Sequence, residues 1–161
     1  MKKRAYAAGI LIFLCICLFS AHPLYAEDSV GLSAGQTIYL PVYSHIYSGN
    51  RERPHQLAVT ASIRNTDPVH SIKITAIDYH ATQGKLLKKY LTKPEILQPL
   101  ESLRYIIPEK DESGGSGANF IIKWESEKPV NPPMIESIMI STQSQQGISF
   151  TSRGREIIIS E

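Results

Sequence analysis

The sequence predicts an all-β domain, and three observations predict it. Apolar residues recur at every second position in one segment after another, the period of a strand with one buried face. These segments are short and are separated by Gly, Pro, Asn and Asp, the residues of turns. After the N-terminal apolar run, no stretch carries a helical period.

That run is read as a targeting segment. Lys2, Lys3 and Arg4 form a positive start, Tyr6 to Phe19 an apolar core, and Pro23 breaks it before Leu24-Tyr25-Ala26. This is the three-part pattern of a secretory signal peptide, with cleavage expected after Ala26. The apolar core is shorter than the ~20 residues needed to cross a bilayer. Cys15 and Cys17 lie inside it, behind Leu14 and Ile16, so neither has the small residues that lipoprotein processing requires, and Arg4 is alone where the twin-arginine route needs a pair. The chain is therefore expected to be exported, periplasmic or secreted, with no stable membrane anchor once residues 1–26 are removed.

Processing changes what the composition means. The two cysteines of the 161-residue chain go with the leader, and 135 residues remain (161 less 26). Such a domain has no disulfide, thiolate metal site or cysteine nucleophile, and its length lets it bury close to ~70% of its unfolded surface. Of 17 basic and 15 acidic residues, the leader removes three basic ones, leaving 14 against 15 and a net charge of −1. A near-neutral domain has no electrostatic case for nucleic acid or anionic membranes.

Residues 27–34 form a polar, small-residue lead, expected to be loose, and residues 35–161 a single domain. Tyr39, Tyr43 and Tyr47 recur at a spacing of four, which mimics a helix face. Pro41 and the β-branched neighbours argue instead for an edge strand running into a loop. Gln56 to Arg64 is the clearest strand, with Leu57, Val59, Ala61 and Ile63 facing one way, and Asn65-Thr66-Asp67-Pro68 ends it with turn chemistry. From Ser71 to His80, Ile72, Ile74 and Ala76 alternate until Ile77 and Tyr79 take over the apolar phase, which predicts a β-bulge. Ala81 to Lys85 reads as a hairpin loop and Leu86 to Leu91 as the returning strand. Leu97 to Ile107 reads as one strand with Leu103, Tyr105 and Ile107 on a face, and Phe120, Ile122 and Trp124 repeat the pattern. Pro129 to Pro133 is a connector, followed by strands at Ile135–Ser141, Ile148–Ser152 and Arg155–Ile159. About eight short strands in one domain predict an immunoglobulin-like β-sandwich; a small closed barrel satisfies the same pattern.

Four groups of residues carry chemistry. The loop from Asp111 to Asn119 holds Gly114, Gly115, Ser116 and Gly117, which either cradle an anion with backbone N–H groups or simply join two strands. It lacks the Gly-Lys-Ser/Thr ending of a P-loop and the strand–helix setting of a hydrolase elbow. Tyr43, His45 and Tyr47 offer area and polar tips for a partner, or else cap the core. Arg153 and Arg155 flank Gly154 and suit an anionic group, or stand as solvated charges. Asp67 with His70 and Asp78 with His80 are the residues a metal site would draw on, but no tight ligand spacing supports one, and no cofactor is expected.

Several stretches resemble a known family: Leu40-Pro41-Val42-Tyr43-Ser44-His45-Ile46-Tyr47, Ser62-Ile63-Arg64-Asn65-Thr66-Asp67-Pro68, Ser113-Gly114-Gly115-Ser116-Gly117-Ala118-Asn119-Phe120, Lys128-Pro129-Val130-Asn131-Pro132-Pro133 and Gly147-Ile148-Ser149-Phe150-Thr151-Ser152-Arg153-Gly154-Arg155. Together they are similar to the bacterial family known as domain of unknown function 3124, from about Gly35 to Arg155. The resemblance implies an exported bacterial domain and assigns no catalytic or ligand residue. The resulting expectation is a non-catalytic binding module whose partner is an envelope protein or an anionic cell-wall component. The other readings are a structural protein pairing through an edge strand, and a small metal-dependent protein built on the histidine–aspartate pairs.

Overall fold

Where apolar residues alternate, the chain does form strands with one face inside. Leu57, Val59, Ala61 and Ile63 are all fully buried, and Phe120, Ile122 and Trp124 likewise face inward. The computed structural model describes residues 31–47, 53–141 and 147–158, and no helix occurs among them. The expected signal peptide and the start of the expected lead fall outside the described residues.

Twelve strands are described rather than about eight: β1 (Ser33–Pro41), β2 (His45–Tyr47), β3 (Pro54–Gln56), β4 (Ala58–Arg64), β5 (Ile72–His80), β6 (Leu86–Lys89), β7 (Glu95–Leu97), β8 (Ser102–Ile107), β9 (Asn119–Val130), β10 (Met134–Ser141), β11 (Ile148–Arg153) and β12 (Arg155–Glu156). A six-stranded sheet has the order β12-β1-β9-β5-β6, with β7 also paired to β5, and a four-stranded sheet the order β11-β10-β4-β8. β2 and β3 form a separate hairpin, and every pairing is antiparallel. Both large sheets feed one hydrophobic cluster. Leu40, Ile74, Ile77, Phe120 and Ile122 come from the six-stranded sheet, and Val59, Ile63, Ile107 and Met139 from the four-stranded one. Burying each such side chain contributes roughly 1.5–3 kcal/mol.

The phase slip in β5 is a bulge. Its register against β9 shifts between Ile74 and Ala76, so Ile77 and Tyr79 return to the core. The Ala81–Lys85 hairpin loop also forms, with Gly84 at a φ of 79° and the Ala81 N–H donating to the Lys85 carbonyl at 2.9 Å.

Other expectations are corrected. Leu97–Ile107 is two strands in two sheets: β7 pairs with β5, and β8 pairs with β4. The break is a turn at Pro99-Leu100, where Glu101 N–H donates to the Gln98 carbonyl at 3.0 Å and Leu100 adopts a φ of 62°. The connector expected at Pro129 begins later, because β9 runs on until Val130 opposite Ser33. The first strand accordingly starts at Ser33, within the expected lead. It is an edge strand over only part of its length: β12 flanks it at Ile38 and Tyr39, and Pro41 lies beyond that contact, where a missing N–H costs no ladder bond.

Candidate functional site

The turn Asn65-Thr66-Asp67-Pro68 does more than reverse the chain. The Asn65 side-chain amide donates to the carbonyls of His70 at 2.8 Å, Gln98 at 3.0 Å and Leu97 at 3.3 Å, while its oxygen accepts from Asp67 N–H at 3.0 Å. Asp67, only 5% exposed, accepts through Oδ1 from the N–H groups of His70 at 2.8 Å and Val69 at 2.9 Å. Its Oδ2 takes the N–H of Asn131 at 3.1 Å and that residue's side-chain amide at 3.3 Å. The backbone donors of His70 and Val69 hold the Asp67 carboxyl far below the usual carboxylate range, against the opposing effect of burial. Thr66 Oγ1 donates to the Pro132 carbonyl at 2.8 Å and completes the clasp. Two of the sequence stretches noted above, Ser62–Pro68 and Lys128–Pro133, thus meet in one hydrogen-bonded knot.

The same knot displays His70. Its Nδ1 lies 3.2 Å from Asp67 Oδ1. An ionised carboxylate only accepts, so the proton of this pair sits on Nδ1 and Nε2 is left for other contacts. The ring borders an open groove of about 700 Å³ whose walls include Val69, Lys73, Ile96, Glu125 and Lys128. Lys73 and Glu125, paired across β5 and β9, are joined by an ion pair of 2.7 Å. Val69 and Ile96 are 71% and 59% exposed, respectively. The groove is therefore lined both by an ion pair and by two exposed apolar side chains.

The tyrosine–histidine stretch and the glycine loop are also brought together, at the other end of the strands. Ser44 N–H donates to the Gly115 carbonyl at 3.0 Å and Val42 N–H to the Ala118 carbonyl at 2.9 Å. His45 Nε2 lies 3.3 Å from the Tyr47 hydroxyl, and Tyr43 meets Phe150 edge-on, with ring centroids 5.8 Å apart. Thr82 ties the loop down: its N–H and Oγ1 both donate to the Gly114 carbonyl at 2.9 Å, and its Oγ1 accepts from Gly117 N–H at 2.9 Å. Gln56 donates to Glu112 on the loop's outer side. The glycines provide room as well as freedom. A β-carbon at Gly115 would stand 2.5 Å from Thr82 Oγ1, and one at Gly114 would overlap the Tyr79 hydroxyl. Ser116 is half-buried and Asn119 buried within this loop and the start of β9.

Asp78 and His80 share the face of β5 opposite buried Tyr79; Asp78 stands across from Lys89, and His80 across from Asn119 and Leu86. Among the described residues, no three histidines or carboxylates converge as a metal would require. Arg153 and Arg155 belong to different sheets, since Arg153 lies opposite Glu136 on β10 and Arg155 opposite Tyr39 on β1. Gly154 makes the crossing, donating its N–H to the Ile135 carbonyl at 2.8 Å and leaving a β-carbon only 2.5 Å from Ile38.

Sequence reading missed the groove walls. Lys73, Ile96 and Glu125 lie in none of the stretches noted above, and their only trace in the chain is an outward phase in strands whose pairing alternation does not reveal.

Residues 35–157 match the family described as protein of unknown function (DUF3124). The crystal structure of Thermotoga maritima 1070 is similar over 74% of this chain and 92% of that one, at 18% identity and a TM-score of 0.45. No curated protein matches. With the match spanning both halves of the Asp67–Asn131 clasp, the glycine loop and the Arg153–Arg155 stretch, the chain belongs to the DUF3124 family.

Proposed function

We propose that the mature chain is a non-catalytic binding module of the cell envelope, and that it holds an extended segment of a partner protein in the groove beside His70. The observation that carries this reading is the saturation of Asp67. Both carboxylate oxygens are occupied by donors from His70, Val69 and Asn131, which leaves no lone pair aimed at a substrate and a proton affinity far from that of a general base. The carboxylate instead fixes the groove wall, and a preformed wall lowers the ordering cost of binding. Exposed Val69 and Ile96 suit an apolar side chain of the partner, and the balanced Lys73–Glu125 pair suits a peptide backbone and mixed charges better than a polyanion. The leader at residues 1–26 supports export. Two sheets sharing one core support the immunoglobulin-like sandwich over a closed barrel.

A photo-crosslinking residue placed at Ile96, with the same residue at Ile106 on the other sheet as control, tests the proposal in envelope preparations. One adduct formed from position 96, absent from position 106 and lost on Val69→Asp, is the expected result. Equal adducts from both positions, or none from position 96, overturn it.

A second reading is assembly through an edge strand. β8 has β4 on one side only among the described strands and exposes Ile106. Reversible self-association in sedimentation that disappears on Ile106→Lys would favour it.

A further inference from the structure

On the outward face of the four-stranded sheet, we propose an oxyanion site: a phosphate or carboxylate group held between Arg64 and Arg104. The placement follows from strand parity. Val59, Ala61 and Ile63 point into the core, so Thr60, Ser62 and Arg64 of β4 point out. The register sets Arg64 opposite Ser102 and Ser62 opposite Arg104 on β8, which makes the two arginines diagonal neighbours, within reach of one ligand group between them. They border a hollow of about 360 Å³ together with Thr60, Ser62 and Ser102, and no acidic side chain lines it.

The site is partly built already. Arg64 Nε donates to Ser62 Oγ at 3.2 Å, and an Arg64 terminal nitrogen lies 3.5 Å from Glu136. These two contacts hold the guanidinium over the sheet, and Ser62 keeps its own proton to donate. Arg104 has no carboxylate within 4.0 Å among the described residues, and its fork of donors stays open. Two guanidinium groups and three hydroxyls around one hollow match the geometry of a tetrahedral or trigonal oxyanion, which accepts several charge-assisted bonds at once. Glu136 offsets the charge of Arg64, so the uncompensated positive charge at the hollow is that of Arg104.

The test is a titration of the mature chain followed by amide and arginine side-chain NMR shifts, using inorganic phosphate in one arm and acetate in the other. Sodium chloride at equal ionic strength is the baseline. Saturable shifts at Ser62, Ser102 and Arg104 beyond that baseline are expected with phosphate; a response to acetate as well identifies carboxylates as a second source of the group. Arg104→Gln should weaken the phosphate affinity about tenfold or more, the size of a charge-assisted bond of ~1.5–3 kcal/mol, with no change in melting temperature. Lys123→Gln, on β9 of the other sheet and outside the hollow, should leave the affinity unchanged. Shifts no larger than those with chloride overturn the proposal. So does an Arg104→Gln chain that binds as well as wild type, or an equal loss from Lys123→Gln, which would mark a diffuse field rather than a site.

Discussion

Gly114 packs directly beneath the hydroxyl of Tyr79, in space that a β-carbon would need. That hydroxyl is itself placed, 3.1 Å from Ser44 Oγ, on a ring stacked against Phe120 at 5.0 Å. Gly114→Ala therefore forces the loop or the ring to move, and overpacking of this kind costs about 1–3 kcal/mol. Chemical denaturation should show that loss, and Tyr79→Phe in the same chain should recover part of it by removing the overlapping oxygen.

Asp67 makes stability depend on acid. Its carboxyl is depressed in the folded chain and returns to about 3.8 when unfolded. The stability it contributes is then fully present above 3.8 and lost progressively as pH falls below that value. Thermal melts from neutral pH downward should show a fall in wild type through this window. Asp67→Asn should melt lower at neutral pH and show a shallower fall in acid.

Leu100 sits in the left-handed region at a φ of 62°, in the turn that sends the chain from one sheet to the other, and its side chain is exposed. A non-glycine residue there carries a local cost of about 1 kcal/mol. Leu100→Gly gives up little packing and is expected to be neutral or to stabilise by roughly 0.5 kcal/mol despite its greater unfolded-state freedom. Leu100→Val should destabilise. Paired urea unfolding curves decide the sign.

Burial, followed by the charge and the hydrogen bond of Glu95, pushes the Tyr105 hydroxyl up to about 12. A raised tyrosine favours the folded state below its unfolded value of 10.0 and loses that contribution as pH climbs towards 12. Absorbance titration of the phenols should show a late-ionising tyrosine that Glu95→Gln moves to lower pH.

The longer strands β4, β5, β9 and β10 were legible because each buries one face and period two survives in the residues themselves, whereas the three-residue strands β2, β3 and β7 are too short to show a period. The β5 bulge was legible for the same reason, as a slip from Ala76 to Ile77. Pairing was not, since alternation tells which way a side chain points and nothing of its neighbour. Lys73 and Glu125 therefore met without warning, and with them the groove. The break was marked by Pro99 alone, a residue that a central strand excludes, because the left-handed position beside it is held by a leucine rather than by glycine or asparagine. The glycine loop was visible as composition, but its cause, the space taken by Tyr79 and Thr82, lies in residues far along the chain. Asn65 and Asp67 announced a turn. That the turn also binds Asn131 depends on sheet order, which no local pattern contains.

The placement of β1 bears on the order of events during synthesis. This strand leaves the ribosome early, yet its ladder partners are β9, from Gly35 opposite Glu125 to Pro41 opposite Asn119, and β12, with Tyr39 opposite Arg155. Until those distant segments have been made, Ile38 and Leu40 have no sheet to join, and the chain carries an open, apolar strand. Closure of the six-stranded sheet is therefore a late step with a long loop to close, the topology associated with slow folding and with a need for protection on the way.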